Sequence, residues 1–235
     1  MENTTMFGGS LWIWVIFIGF TVISWLISHQ LKSRFQKYSK IPIANGMTGR
    51  DVVEKMLRDN GVTGVKIGSV EGMLTDHYNP VNKTINLSRD VYYGNSIAAA
   101  AVAAHETGHA LQHAKGYSML KLRSTLVPAV EFASHWVQWI LLAGILMVNS
   151  FPGLLLVGIG LFAIMTLFSF VTLPVEIDAS HRALAWLRNS GITDYQTQGY
   201  AFDALKWAAY TYVIAALSSL ATLLYYIMIY LNRRD

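Results

Sequence analysis

Long apolar stretches alternate with polar segments along this chain, and four of them are long enough to cross a membrane. About 20 apolar residues span the roughly 30 Å hydrocarbon core as a helix. The predicted spans are Gly9–Ser28, Val127–Val148, Phe151–Leu173 and Ala208–Leu231. A short turn sequence containing Pro152 and Gly153 separates the second span from the third, and this predicts a tight helical hairpin.

The polar stretch between the first two spans predicts a small mixed α and β region. Thr48 and Asp51 form a capping-box pattern for a helix that ends near Asn60. Three short stretches then predict strands: 65–70, 74–78 and 83–87. The sequence Asn-Pro-Val-Asn at 79–82 is a favourable turn between the last two.

An Ala-rich helix follows the predicted strands. Ser96 is a favourable N-cap for a helix that runs from Ile97 to about Ala114. Its apolar run is too short to span a membrane, so we predict a buried core helix.

Composition supports lipid as the main solvent of the chain. Only 14% of the residues are charged and 53% are hydrophobic, whereas soluble domains are about 25% charged. The absence of cysteine excludes disulfides and thiolate metal sites, so any metal must be held by His, Asp or Glu. The net charge is only +4, and Lys or Arg runs do not alternate with aromatics, so no nucleic-acid partner is expected.

The distribution of positive charge predicts the topology. The segment before the first span contains Glu2 and no Lys or Arg, unlike a cleaved signal peptide. The basic residues follow that span, at Lys32, Arg34, Lys37 and Lys40. By the positive-inside rule the N-terminus is outside and the polar region is cytoplasmic. Four spans return the C-terminus to the outside. Only Arg233 and Arg234 disagree with this topology, because the rule disfavours basic residues on the outer side.

The Ala-rich helix contains a zinc-peptidase pattern, His-Glu-Thr-Gly-His. His105 and His109 are four residues apart, so both imidazoles lie on one helix face and can bind one Zn²⁺. Glu106 follows the first histidine, where its carboxylate can reach a water molecule as a general base. Gly108 leaves room beside the metal for substrate or a neighbouring strand.

Catalytic zinc usually has three protein ligands, and the third must come from outside this helix. His113 is unsuitable because eight residues of helix separate it from His105 by about 12 Å. The metzincin pattern is excluded as well, because Gln112 and Lys115 occupy the positions of its Gly and His.

Glu176 is the best candidate for the third ligand. It comes just after the third span, on the same predicted side of the membrane as the zinc helix. A carboxylate near the start of a helix also interacts favourably with the helix dipole, which is the alternative interpretation. Asp178 is either another candidate ligand or an acceptor for the second N–H of a ligand imidazole.

Four sequence blocks in this order carry a resemblance to a known family. They are Thr75–Pro80, Ile85–Ser88, Ala103–Ala110 and Pro174–Ser180. Over nearly its whole length the chain resembles the YugP-type bacterial membrane zinc metallopeptidases, which implies a prokaryotic plasma membrane. That family is similar in outline to HtpX-type proteases, in which a downstream Glu completes the zinc site and an Asp usually follows four residues later. Ser180 stands at that position here, so its role is unfilled or passes to Asp178.

Several polar residues are candidates for stabilising the oxyanion of a tetrahedral intermediate. His77 and Tyr78 lie in a predicted strand before the zinc helix, where zinc peptidases often bind the substrate backbone. A surface role beside the turn is an equal alternative for this pair. His181 and Arg182 follow Glu176 closely, although Arg182 can equally extend to lipid headgroups.

These patterns predict a mainly α membrane protein with about four spans and a small zincin-like α+β catalytic region. The expected order is an anchor at 1–30, a catalytic region at 31–126 with the zinc helix at 96–114, a hairpin at 127–173, a helix with the third ligand at 174–207 and a last span at 208–235. The expected function is zinc-dependent endopeptidase activity on peptides or membrane proteins. The alternatives are an intramembrane protease and a non-catalytic membrane scaffold.

Overall fold

The computed structural model describes the backbone of residues 3–232 and the side chains of residues 14–232. Within this part of the chain the elements are α1 (Asn3–Tyr38), α2 (Gly49–Asp59), β1 (Lys66–Val70), β2 (His77–Asn79), β3 (Thr84–Ser88), α3 (Arg89–Tyr92), α4 (Ile97–Ala114), α5 (Ser118–Leu146), α6 (Pro152–Asn189) and α7 (Tyr195–Leu231). The predicted class, mainly α with a small β-sheet, is confirmed.

The chain divides into two compact units. The first, here called the apolar unit, takes in the described parts of Met1–Ile27, Leu122–Leu173 and Thr211–Asp235. The second, here called the polar unit, comprises Ser28–Lys121 and Pro174–Tyr210. The four longest helices, α1, α5, α6 and α7, each run from one unit into the other.

Four helices of the described chain are long and apolar enough to cross a membrane: α1, α5, α6 and α7. The prediction of four helices that could span a membrane is thereby confirmed. In the apolar unit, α5 and α6 pack through a small core made of Val137, Leu141, Leu155 and Ile159. Large apolar side chains such as Trp136 and Trp139 remain exposed, which suits a surface in contact with lipid rather than water.

Helix α6 is continuous through Pro174, whereas the sequence suggested that a new helix begins there. Proline lacks an N–H, so the carbonyl of Phe170 loses its usual helical hydrogen bond. Long membrane helices tolerate this because neighbouring helices and local adjustments compensate. The segment 174–207 therefore consists of the end of α6, a short connection and the start of α7.

The sheet of the polar unit has the strand order β1-β3-β2. β2 and β3 form the predicted antiparallel hairpin, and β1 pairs with β3 in parallel. β2 begins at His77 and not at Leu74, because Gly72 and Leu74 have positive φ angles of 104° and 59° that turn the chain first. β2 is consequently a short strand at one edge of the sheet.

Two helices of the polar unit begin at the predicted caps. Thr48 forms a reciprocal capping box with Asp51 at the start of α2, whose buried face packs on α4. The Ser96 hydroxyl accepts a hydrogen bond of 3.2 Å from the backbone N–H of Ala99 at the start of α4. Nearly all of α4 is buried, as predicted for a core helix.

Candidate metal centre

Helix α4 presents the two histidines of the zinc-peptidase pattern together. The ring centroids of His105 and His109 are 4.8 Å apart, and the ring planes are nearly perpendicular. Thr107 points away from this pair and donates its hydroxyl to the carbonyl of Ala103 at 2.7 Å. Both imidazoles therefore face the same neighbouring element, which is α6.

Glu176 of α6 completes a group of three possible metal ligands. Its Oε2 lies 3.2 Å from Nε2 of His105 and 3.5 Å from Nε2 of His109. The three ligand atoms lie within 4.8 Å of one another, and the Glu176 side chain is almost fully buried. Ligands of a tetrahedral zinc ion are about 3.3 Å apart when each is 2.0–2.1 Å from the metal. The spacing and the donor types therefore fit zinc.

A close approach of two helix backbones brings Glu176 to the histidines. A Cβ atom on Gly108 would lie 2.7 Å from the carbonyl oxygen of Ala179 and 3.1 Å from its Cα. Such distances are shorter than a packed carbon tolerates, so only glycine allows α6 to pass here. Gly108 was expected to leave room for substrate or a neighbouring strand, and in the structure helix α6 lies there.

Each imidazole of the candidate group has a second hydrogen-bond partner on its Nδ1 atom. The hydroxyl of Ser180 lies 3.1 Å from Nδ1 of His105. The side-chain oxygen of Gln112 lies 3.0 Å from Nδ1 of His109. Outer partners of this kind fix the orientation and tautomer of metal-binding histidines.

Sequence reasoning missed both of these partners. Gln112 served only to exclude the metzincin pattern, although its spacing of three residues from His109 on one helix could have indicated a contact. Ser180 was noted only as a departure from the HtpX-type pattern. In the structure its hydroxyl lies within hydrogen-bond distance of His105, whereas Asp178 is bonded to Gln112 and Arg182.

Asp178 is not part of the three-ligand group. Its carboxylate accepts a hydrogen bond of 2.8 Å from the side-chain amide of Gln112. It also accepts bonds from Arg182 Nε at 2.6 Å and Arg182 Nη2 at 3.2 Å. Asp178 therefore contacts the site through Gln112 rather than as a ligand.

The charge of Glu176 alters the proton affinity of His109. Burial by itself lowers the pKa of His109, but the hydrogen bond and negative charge of Glu176 outweigh burial and raise that pKa above its usual value. The same carboxylate that favours a proton on the imidazole favours a metal cation. The negative charge of Glu176 therefore makes this group of side chains suited to a cation.

Glu106 follows His105 on α4 and is buried. Burial raises the pKa of the nearby Asp76 carboxyl, hydrogen bonds from Ser88 oppose this rise, and the negative charge of Glu106 adds to it. The Ser88 backbone N–H and hydroxyl donate to Asp76 at 2.7 and 3.1 Å. Sequence reasoning assigned no role to Asp76, which holds the segment before β2 to the end of β3.

The four candidates for oxyanion stabilisation differ in their contacts. The two ring nitrogens of His77 lie 2.8 Å from the carbonyl of Thr75 and 3.0 Å from the amide of Asn86. The Tyr78 hydroxyl lies 2.7 Å from Nδ1 of His113, one turn beyond His109 on α4. Burial raises the pKa of Tyr78, so its hydroxyl remains protonated at neutral pH.

The other two candidates follow Glu176 on α6. His181 is exposed to solvent. Arg182 is held by the two hydrogen bonds to Asp178, and its guanidinium lies 6.0 Å from the ring centroid of Tyr117. Of these four residues, Tyr78 is the one joined by a hydrogen bond to the helix that carries both histidines.

Comparison with known proteins places the chain in a family. A family model described as "Putative neutral zinc metallopeptidase" matches residues 13–231. The chain belongs to this zinc metallopeptidase family. It is also 41% identical over 227 residues to "Putative membrane protease YugP" of Bacillus subtilis (strain 168), covering 94% of this chain and 99% of that relative. No solved structure matches the chain.

Membership in this family confirms the resemblance noted from the four sequence blocks. The family implies zinc, and His105, His109 and Glu176 are the group of described residues that could hold it. The four apolar helices make the chain a membrane protein, in agreement with the description of its bacterial relative as a membrane protease.

Proposed function

We propose that this protein is a membrane-embedded, zinc-dependent endopeptidase in which His105, His109 and Glu176 hold the metal. The observation that supports this most directly is the convergence of two imidazole nitrogens and one carboxylate at the spacing of a tetrahedral zinc site. A bound zinc ion would supply the Lewis acidity that activates water and polarises the scissile carbonyl.

Glu106 acts as the general base in this proposal. It accepts a proton from water as the water oxygen forms a bond to the scissile carbonyl carbon. It then donates that proton to the leaving nitrogen as the carbon–nitrogen bond breaks. Its position next to His105 on α4 and its burial support the role. The electrostatic effect of a carboxylate near the reacting atoms is greater where water is excluded.

Tyr78 is the proposed donor to the oxyanion. Its hydroxyl is protonated at neutral pH and is linked to His113 on the zinc helix. His77 is a weaker choice because both of its ring nitrogens have other partners, and Arg182 is a weaker choice because Asp178 holds it. His181 is the remaining alternative, and Tyr78→Phe and His181→Ala separate the two by their effect on kcat.

The edge strand β2 is the proposed binding surface for the substrate backbone. An extended peptide can add to an exposed sheet edge through main-chain hydrogen bonds. β2 occupies such an edge in the order β1-β3-β2, and it carries Tyr78. The substrate class is accordingly an extended segment of a peptide or membrane protein.

The central test is Glu106→Gln, which keeps the size of the side chain and removes its ability to take up a proton. Peptide hydrolysis should fall by about 10²–10⁴-fold, the usual contribution of a general base. Zinc content measured by elemental analysis should stay at the wild-type value. Glu54→Gln, at an exposed glutamate paired with Arg50, is the matched control and should retain full activity.

Two outcomes would contradict the proposal in different ways. Undiminished hydrolysis by Glu106→Gln would remove Glu106 as the base. A purified wild-type protein without stoichiometric zinc would favour the non-catalytic scaffold. The intramembrane alternative has less support, because α4, which carries both histidines, is not among the four apolar candidate spans.

We further propose a prokaryotic plasma membrane with the polar unit on the cytoplasmic side. The chain has no cysteine, so a single introduced thiol reports its own location. Val81, in the exposed turn between β2 and β3, is suitable for replacement by Cys. An impermeant maleimide should label Val81→Cys only after the membrane is opened. Ser150→Cys, between α5 and α6, should be labelled in intact cells, and the reverse pattern would invert the topology.

A further inference from the structure

A buried glutamine connects one metal-binding histidine to a charged pair outside the ligand group. Gln112 is completely buried, although its side chain is polar. Its oxygen lies 3.0 Å from Nδ1 of His109, and its nitrogen donates to the carbonyl of Val175 at 2.7 Å and to Asp178 Oδ2 at 2.8 Å. A buried polar group without partners is costly, and here the amide oxygen has one partner and the amide nitrogen has two.

These contacts determine which way the amide points. The two N–H groups of an amide nitrogen need acceptors, and the carbonyl of Val175 and the carboxylate of Asp178 accept but do not donate. The Gln112 nitrogen must therefore face α6, and its oxygen must face His109.

The amide orientation in turn determines the tautomer of His109. The oxygen of Gln112 can only accept, so Nδ1 of His109 must carry the proton. The lone pair of the neutral imidazole is then on Nε2, the atom that lies 3.5 Å from Glu176. This is the form of histidine that binds a metal ion.

The Gln112 amide is bonded on its other side to Asp178, which forms an ion pair with Arg182. Asp178 is held by Arg182 through two hydrogen bonds, and both side chains are a little over one quarter exposed. The negative charge of Asp178 orients the amide of Gln112, and the amide transmits that orientation to His109. The charge itself stays outside the ligand group.

We propose that Gln112 is a positioning residue that sets the tautomer of His109 and makes metal affinity depend on the Asp178–Arg182 pair. This inference rests on the metal site of the proposed function. In many zinc sites a carboxylate or carbonyl accepts directly from the ligand histidine. Here the carboxylate acts through one intervening amide.

The first test replaces Gln112 with methionine, which keeps the approximate volume and removes the hydrogen bonds. Zinc affinity, measured by competition with a chromophoric chelator, should fall by about 10–100-fold, the usual effect of losing an outer partner. Gln198→Met is the matched control, because the side chain of Gln198 likewise accepts one hydrogen bond and donates to a backbone carbonyl in the polar unit. That variant should keep wild-type zinc affinity.

The second test exchanges the amide and the carboxylate. Gln112→Glu alone places a second carboxylate against Asp178, and Asp178→Asn alone removes the charge that orients the amide, so each should weaken zinc binding. The double variant Q112E/D178N restores one amide and one carboxylate. Its carboxylate, now on α4, accepts from His109, and its amide, now on α6, donates to that carboxylate. The Val175 carbonyl stays without its former donor, so zinc affinity should rise above that of either single variant without fully reaching the wild-type value.

The outcomes separate failure of this inference from failure of the proposed function. Absence of zinc binding by the wild-type protein would remove the metal site itself. Wild-type binding with an unchanged affinity in Gln112→Met would overturn only the positioning role. If Gln112→Met does not accumulate as folded protein, the exchange decides: a double variant no better than the single variants would show that Gln112 acts only in packing.

Discussion

Within each unit of the molecule, helix α6 packs so closely against another helix that a glycine of that helix lies against its backbone. In the apolar unit, a Cβ on Gly144 of α5 would lie 2.6 Å from the Cα of Leu155. In the polar unit, a Cβ on Gly108 of α4 would lie 2.7 Å from the carbonyl oxygen of Ala179. The packing solution is the same, since a glycine on one helix admits the backbone of the other.

The residues around the two contacts differ in kind. Around Gly144 the buried neighbours are apolar and need only dispersion contacts. Around Gly108 the helices bury six polar side chains, namely Glu106, Thr107, His109, Gln112, Glu176 and Ser180. Buried polar groups stabilise a contact only when they are paired. The comparison shows that the same kind of helix contact can hold a candidate metal site when its flanking positions carry buried polar side chains.

The largest effect should come from Gly108→Ala. The new methyl group would meet the backbone of Ala179, which cannot rotate away, so α6 must shift and take Glu176 out of reach of the histidines. We expect zinc affinity to fall by more than about 100-fold, since a ligand and not merely an outer partner is displaced. Chelator competition on the folded protein measures this change.

Gly144→Ala is the matched variant that sharpens the comparison. Its clash with Leu155 is as close, so unfolding should become easier by about 1–3 kcal/mol, as in other overpacked cores. Zinc affinity of the folded protein should not change, because the ligands lie in the polar unit. Equal losses of zinc affinity in both variants would show that the contact at Gly108 has no special role.

A somewhat smaller effect is expected from Glu176→Gln, which keeps the helix contact and changes only the ligand. The amide has no charge to offer the metal, so zinc affinity should fall by about 100-fold while the fold is retained. Zinc at 100 times its Kd stabilises a folded protein by about 2.7 kcal/mol. Thermal unfolding of wild type should therefore shift upward with zinc, and that of Glu176→Gln should not.

An unchanged zinc-dependent shift in Glu176→Gln would place the third ligand elsewhere. Asp178 would then be the first residue to examine, through Asp178→Asn. A suitable control is Glu71→Gln, at an exposed glutamate that pairs with Arg89. Its thermal shift with zinc should equal that of wild type.

Features set by local chemistry were predictable from the sequence. The caps at Thr48 and Ser96, the hairpin of β2 and β3 and the four apolar spans each depend on neighbouring residues. The spacing of His105 and His109 is equally local. Glu176 could be proposed from the sequence because it directly follows an apolar span, which places it at a predicted side of the membrane.

Features set by contacts distant in sequence were not predictable in the same way. The parallel pairing of β1 with β3 has no local signature, and the passage of α6 through Pro174 depends on packing rather than on the proline. The partners of the ligand histidines show the same limit. Ser180 is 75 residues from His105, and only the glycine contact makes them neighbours.

The smallest effect is expected from Ser180→Ala, which tests how far the outer hydrogen bonds of the polar contact matter. The change removes the hydroxyl 3.1 Å from Nδ1 of His105 and leaves all three ligands in place. Zinc affinity should fall by about tenfold, at the low end for an outer partner, and unfolding should change by about 1 kcal/mol. Ser190→Ala removes a comparable hydrogen bond to the carbonyl of Leu187 away from the ligands and should leave zinc affinity unchanged. Equal zinc affinities in the two variants would mean that helix packing at Gly108 alone orients His105. The contact at Gly108 would then depend on packing in the same way as the apolar contact at Gly144.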